Sequence, residues 1–123
     1  MHMTHDPKAP AAPEISFDEF LKVDIRLGTV VEASVFPQAR NPSYRLKVDF
    51  GAALGIKKSV AQITAHYAPK EMVGSRVMAV VNFPPRQIGP AQSEVLVLGF
   101  ADSADQIVLV RPDRDAPDGA RLA

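Results

Sequence analysis

A chain of 123 residues, 46% hydrophobic and 23% charged, can fill one hydrophobic core but not two. It has no cysteine and no apolar run near the roughly 20 residues of a membrane span, which excludes disulfides, thiolate chemistry and a membrane-inserted helix. The formal charge is zero, yet residues 26–86 carry nine bases against three acids while residues 1–25 and 87–123 each sum to −3. A basic middle between acidic ends fits an ordinary solvated surface, or a footprint for a polyanion or an acidic partner.

Residues 1–14 hold Pro7, Pro10 and Pro13 and little to bury, and read as a flexible tail. They lack the apolar region of a secretory signal, so a cytoplasmic protein is the default expectation. Order is expected from Ile15. Ser16 and Glu19 have the spacing of a capping box, and Ile15 with Phe20 that of a hydrophobic staple, which predicts a short helix over Phe17 to Lys22. Two turns are not stable alone, so Phe17, Phe20 and Leu21 need a surface to pack on, in this domain or in a second copy.

From Val23 to Val35 the pattern is that of a strand, and Gly28 inside it predicts a bulge or bend. After a loop over Pro37 to Ser43, Tyr44, Leu46, Val48 and Phe50 alternate with Arg45, Lys47 and Asp49, the clearest two-residue period in the chain. Gly51 to Gly55 reads as a turn and Lys58 to Ile63 as a third strand. Pro69 and Gly74 bracket a short helix, since proline suits a first turn and glycine a stop. Arg76 to Phe83 is the fourth strand. A polar loop stiffened by Pro84 and Pro85 follows, and a fifth strand begins near Glu94. Gly99 to Asp105 reads as turns, Ile107 to Val110 as one more apolar strand, and Pro112 to Ala123 as an extended end.

Five or six short strands, one small helix in front and another between strands three and four, predict an all-β protein. The layout is that of a five-stranded OB-fold barrel occupying residues 15–123.

Catalytic chemistry has little support. His2, His5 and His66 are not at metal-ligand spacings, the carboxylates form no evident pair, and the glycines form no phosphate loop, so neither an enzyme nor a cofactor is expected. Binding has more. Barrels of this type present a sheet face and its loops, with bases on a backbone and aromatics as platforms. The candidate cations are Arg40, Arg45, Lys57, Lys58, Arg76 and Arg86, with Lys47 beside them. An aromatic content of 7% with no tryptophan argues against a dedicated single-strand binder.

Four stretches in this order carry a more specific signal: Phe20 to Gly28, Lys57 to Thr64, Asn82 to Ile88 and Ser93 to Gly99. Together they resemble the CsaA-type export chaperones, a branch of the tRNA-binding domain family whose members are also appended to methionyl-tRNA synthetases. The resemblance implies an OB-fold homodimer, joined through its N-terminal helix and C-terminal segments, that binds unfolded or pre-export polypeptides. On that reading Phe36, Tyr44, Phe83 and Ile88 would floor a peptide groove while Asn82, Arg86 and Ser93 bond the client's backbone. A tRNA-binding reading would use Arg40, Arg45, Lys57, Lys58, Arg76, Arg86 and Ser93 instead. The tRNA-binding members carry Ser-x-Gly-Met where this chain has Ser93-Glu94-Val95-Leu96. Glu94 would repel phosphate if it faced the site, which shifts the expectation toward peptide.

Overall fold

The alternation over Tyr44 to Phe50 builds the centre of the barrel. In a computed structural model, which describes residues 6–123, β1 (Ile25–Val35), β2 (Tyr44–Asp49), β3 (Ile56–Ala61), β4 (Arg76–Val80) and β7 (Leu96–Val97) form one antiparallel sheet in the order β3-β2-β1-β4-β7. Tyr44, Leu46 and Val48 point inward and are buried, while Arg45 and Lys47 point out, as a strand with one wet face requires. Val30, Phe50, Ile63, Met72, Val77, Ala79 and Val95 complete the core. The curled sheet nearly closes on itself, so the expected five-stranded OB-fold barrel is what forms.

β1 is the long strand that serves two partners. Its first half pairs with β4 and its second with β2, and Thr29 faces both Arg76 and Asp49. The expected irregularity is present but not at Gly28: the register slips between Val30 and Glu32, which leaves Val31 as the extra residue. Gly28 serves packing instead. A Cβ there would lie 2.7 Å from Val48 Cγ1 and 2.8 Å from the Phe50 ring.

Helix α1 (Phe17–Phe20) starts as its sequence predicts. The Glu19 amide donates to Ser16 Oγ at 3.1 Å and the Ser16 amide donates to Glu19 Oε1 at 3.2 Å. It ends after one turn, short of Lys22, and Phe17 remains 68% exposed. Helix α2 (Pro69–Met72) lies between β3 and β4 with proline in its first turn, and Gly74 stops it at a φ of +89°.

One region expected as a loop is a hairpin, and one expected as turns supplies the first strand of another. β5 (Arg86–Ile88) pairs with β6 (Ala91–Ser93) across Gly89-Pro90, where Gly89 takes a φ of +55° that glycine adopts without strain. β8 (Gly99–Ala101) pairs with β9 (Ile107–Leu109), placing strand structure inside the expected Gly99 to Asp105 turns. The chain end is extended as expected, and it also pairs. Leu27 donates to the Ala120 carbonyl, Gly119 to that of Leu27 and Leu122 to that of Ile25, so residues 119–122 line the edge of β1 that β2 leaves open. Of the expected N-terminal tail, residues 6–14 are exposed, and residues 1–5, with His2 and His5, lie outside the described residues.

Candidate binding grooves beside the β5–β6 hairpin

The outward residues of β1, β2 and β3 form the floor of a groove, and the β5–β6 hairpin forms its wall. The groove encloses about 500 Å³; Glu32, Ser34, Arg45, Lys47, Lys58 and Val60 lie on the barrel side, with Gln87, Pro90, Ala91 and Gln92 across from them. Lys47 is held by Glu32 at 3.0 Å. Counting Glu32, Arg45, Lys47 and Lys58, the lining carries a net charge of +2. Gln87 and Gln92 are register partners on one face of the hairpin and both line the groove, Gln87 with its Nε2 donating to the Gly89 carbonyl at 2.8 Å.

A second cavity of about 490 Å³ opens where β1 ends and β2 begins. Val35, Phe36, Pro37, Pro42 and Tyr44 line it, with Arg40 among them. The two cavities meet at one contact: the Arg45 guanidinium, which lines the first, lies 5.1 Å from the centroid of the Phe36 ring, which lines the second. Phe36 and Tyr44 are buried, at 1% and 7% exposure, and the Tyr44 hydroxyl donates to the Tyr67 carbonyl at 2.7 Å. They form the inner wall of that cavity rather than an open floor.

Other residues expected at the site stand elsewhere. Asn82 is an anchor: its Nδ2 donates to the Lys22 carbonyl at 2.7 Å and its Oδ1 accepts from the Asp24 amide at 3.0 Å. Phe83 is 52% exposed beside it. Arg86 and Ile88 alternate with Gln87 and so face the other side of the hairpin. Arg76 is turned to the chain end, donating to Asp115 at 3.0 Å, to the Ala116 carbonyl at 2.7 Å and to Asp118 at 3.2 Å. Lys57 is half-buried and does not line either cavity. The groove thus brings together Arg45, Lys47 and Lys58 from the expected cations and adds Gln87 and Gln92. Their two-residue pairing across a Gly-Pro turn was the signal in the sequence.

Ser93 and Glu94 close the seam between β3 and the strands that follow the hairpin. Ser93 Oγ accepts from the Val60 amide at 3.0 Å, and Glu94 Oε1 accepts from the Lys58 amide at 2.9 Å. The Glu94 amide donates to the Lys58 carbonyl at 2.8 Å, and Ser59 Oγ donates to the Val95 carbonyl at 3.0 Å. The Glu94 carboxylate therefore stands in for a strand's backbone acceptor, and its charge sits beside the groove-lining Lys58, while the departure from Ser-x-Gly-Met lies at Val95, which is buried, and Leu96.

Residues 25–121 match the family described as "Putative tRNA binding domain". The chain is a member of that family. Two solved structures similar to it are chaperone CsaA of Bacillus anthracis, at 44% identity and a TM-score of 0.84 over 90% of this chain and all of that one, and CsaA of Picrophilus torridus, at 44% and 0.83 over 89% and all of that one. A methionine–tRNA ligase of Porphyromonas gingivalis is 37% identical over 114 residues, 93% of this chain. The chain spans about 16% of the length of that ligase. Within the tRNA-binding domain family it thus has a CsaA-type barrel, whose hairpin walls a polar groove that meets an apolar cavity. Among the described residues no helix is long and apolar enough to cross a membrane.

Proposed function

We propose that this chain is a chaperone-type binding protein that holds unfolded or pre-export polypeptides, as a cytoplasmic homodimer and without catalysing a reaction. The observation that carries the reading is the junction at Arg45, where a basic, amide-lined groove meets an apolar cavity. A polypeptide offers backbone carbonyls, charges and apolar side chains within a few residues, whereas a nucleic-acid backbone offers mainly phosphate. The 44% identity to two CsaA chaperones supports the same reading. Dimerisation would cover the apolar side chains that α1 and the chain end expose, Phe17, Leu21 and Leu122.

A second reading, tRNA binding, is favoured by one observation: Arg45 and Lys58 share a groove of net positive charge. Salt separates the two. Binding through several phosphates weakens by orders of magnitude between low and moderate salt, while a site with an apolar cavity loses far less. The expected result is saturable binding of a reduced, unfolded model protein with a shallow salt slope. Steeply salt-dependent tRNA binding without any binding of unfolded protein would overturn the chaperone reading.

A further inference from the structure

Which segments of an unfolded client this site selects follows from what surrounds Arg45. Cations lie on both sides of the junction, Lys58 in the polar groove and Arg40 at the apolar cavity, and the one acid in the groove lining, Glu32, is engaged by Lys47 at 3.0 Å. Glu94, on the seam, accepts from the Lys58 amide. A basic client segment would meet like charge at the junction, and an acidic one would meet complementary charge.

Geometry adds a spacing. Alternate side chains of an extended chain point the same way about 6.8 Å apart. The Arg45 guanidinium lies 5.1 Å from the Phe36 ring that walls the apolar cavity. A carboxylate at one client position can therefore pair with Arg45 while the side chain two positions on enters the cavity beside Phe36. The guanidinium sits over that ring, and its planar fork of donors suits a carboxylate.

We infer that Arg45 is a specificity-determining residue that selects extended segments carrying an acidic residue two positions from a large apolar one, and disfavours segments in which a basic residue takes the acidic place. The inference rests on the polypeptide-binding reading and names the client chemistry within it.

The test uses the full chain and three unstructured fluorescent peptides of equal length. Each is a Gly-Ser chain with one central motif: Glu-Ser-Leu in the first, Lys-Ser-Leu in the second, and Glu-Leu-Ser, with the apolar residue moved next to the acid, in the third. Anisotropy titrations at low salt should give the Glu-Ser-Leu peptide roughly tenfold tighter binding than the Lys-Ser-Leu peptide, since the swap exchanges one exposed attraction for one repulsion. The shifted peptide should bind more weakly than the first. R45E should reverse the preference. R45K keeps the charge but loses the plane on Phe36, so it should retain the acidic preference and lose the dependence on spacing. Equal binding of the three peptides, or a basic preference in the parent protein, overturns the inference and leaves the polypeptide reading standing. Failure of all three peptides and of an unfolded model protein to bind, with tRNA bound instead, overturns both. Circular dichroism of each variant separates misfolding from altered selection, and should misfolding occur, the peptide preferences of the parent protein decide alone.

Discussion

Single side chains in this barrel carry obligations that their residue types do not announce. Gly28 is pressed from inside the core: the Cβ of an alanine would lie 2.7 Å from Val48 Cγ1 and 2.8 Å from the Phe50 ring, both fully buried. Neither neighbour can yield without disturbing the core, so Gly28→Ala is expected to cost about 1–3 kcal/mol in chemical denaturation, as overpacked cores do. A loss below a few tenths would mean that β1 shifts to make room. Asp102 shows the electrostatic side. It accepts from the Gln106 and Ala104 amides and pairs with His66 at 2.6 Å, and the Gln106 bond first, then His66, holds its carboxyl below the usual carboxylate range. A carboxyl with a depressed folded-state pKa stabilises the fold above its unfolded pKa, and that contribution fades as pH falls through the folded value. The melting temperature of Asp102→Asn should therefore trail the parent at neutral pH, and the gap should narrow as the medium is acidified below about pH 4. A gap that widens in acid would show that the pair does not act through the ionised carboxylate.

Strands and helices were legible where burial alternates and not where partners are distant in sequence. Tyr44 to Asp49 and the Ser16–Glu19 capping box could be read directly, because a two-residue period and an i, i+3 pair are local. The β5–β6 hairpin was hidden by its brevity and by Pro84-Pro85, which read as loop chemistry although the prolines merely precede the first short strand. The pairing of residues 119–122 with β1 was hidden because no local pattern states which edge an extended segment will cover. The candidate cations illustrate the same limit: sequence supplied their charge, but only the register showed that Arg45 and Lys58 line a groove while Arg76 binds the chain end. That last role makes a prediction about the element. Arg76→Ala removes three hydrogen bonds to residues 115–118, two of them to carboxylates, from a part-buried guanidinium. The loss is expected to be on the order of 2 kcal/mol. Hydrogen exchange should locate it, with the Leu27, Gly119 and Leu122 amides exchanging faster while those of β2 and β3 hold. Uniform protection across the barrel would assign the anchoring of the chain end to its backbone bonds alone.

At the scale of the whole molecule the open question is what covers the apolar side chains the barrel leaves outside. Ile15, Phe17 and Leu21 belong to α1 and its flanks, and Leu122 lies on the strand that pairs with Ile25. The Arg121 guanidinium donates to the Leu21 carbonyl, and Asn82 ties Lys22 and Asp24 to the end of β4, so helix, chain end and hairpin base share one end of the barrel. A one-turn helix has no stability of its own, and although a capping box and these hydrogen bonds hold it in place, Phe17 stays 68% exposed, so a further contact would add to its stability. The homodimer proposed above, formed through this end, would supply that contact, and with both cavities left open its two sites could engage one client and raise avidity without any new contact to it. Phe17→Asp places a charge in the proposed interface, yet Phe17 is outside the core, so the fold should survive. Sedimentation at micromolar concentration should show the parent as a dimer and the variant as a monomer. Binding of a short peptide should then be unchanged, while binding of a long unfolded client should weaken by about 10²-fold or more, the avidity that bivalence contributes. If the parent sediments as a monomer, the exposed helix must be covered by something other than a second copy; if the variant stays dimeric, the interface lies on another face.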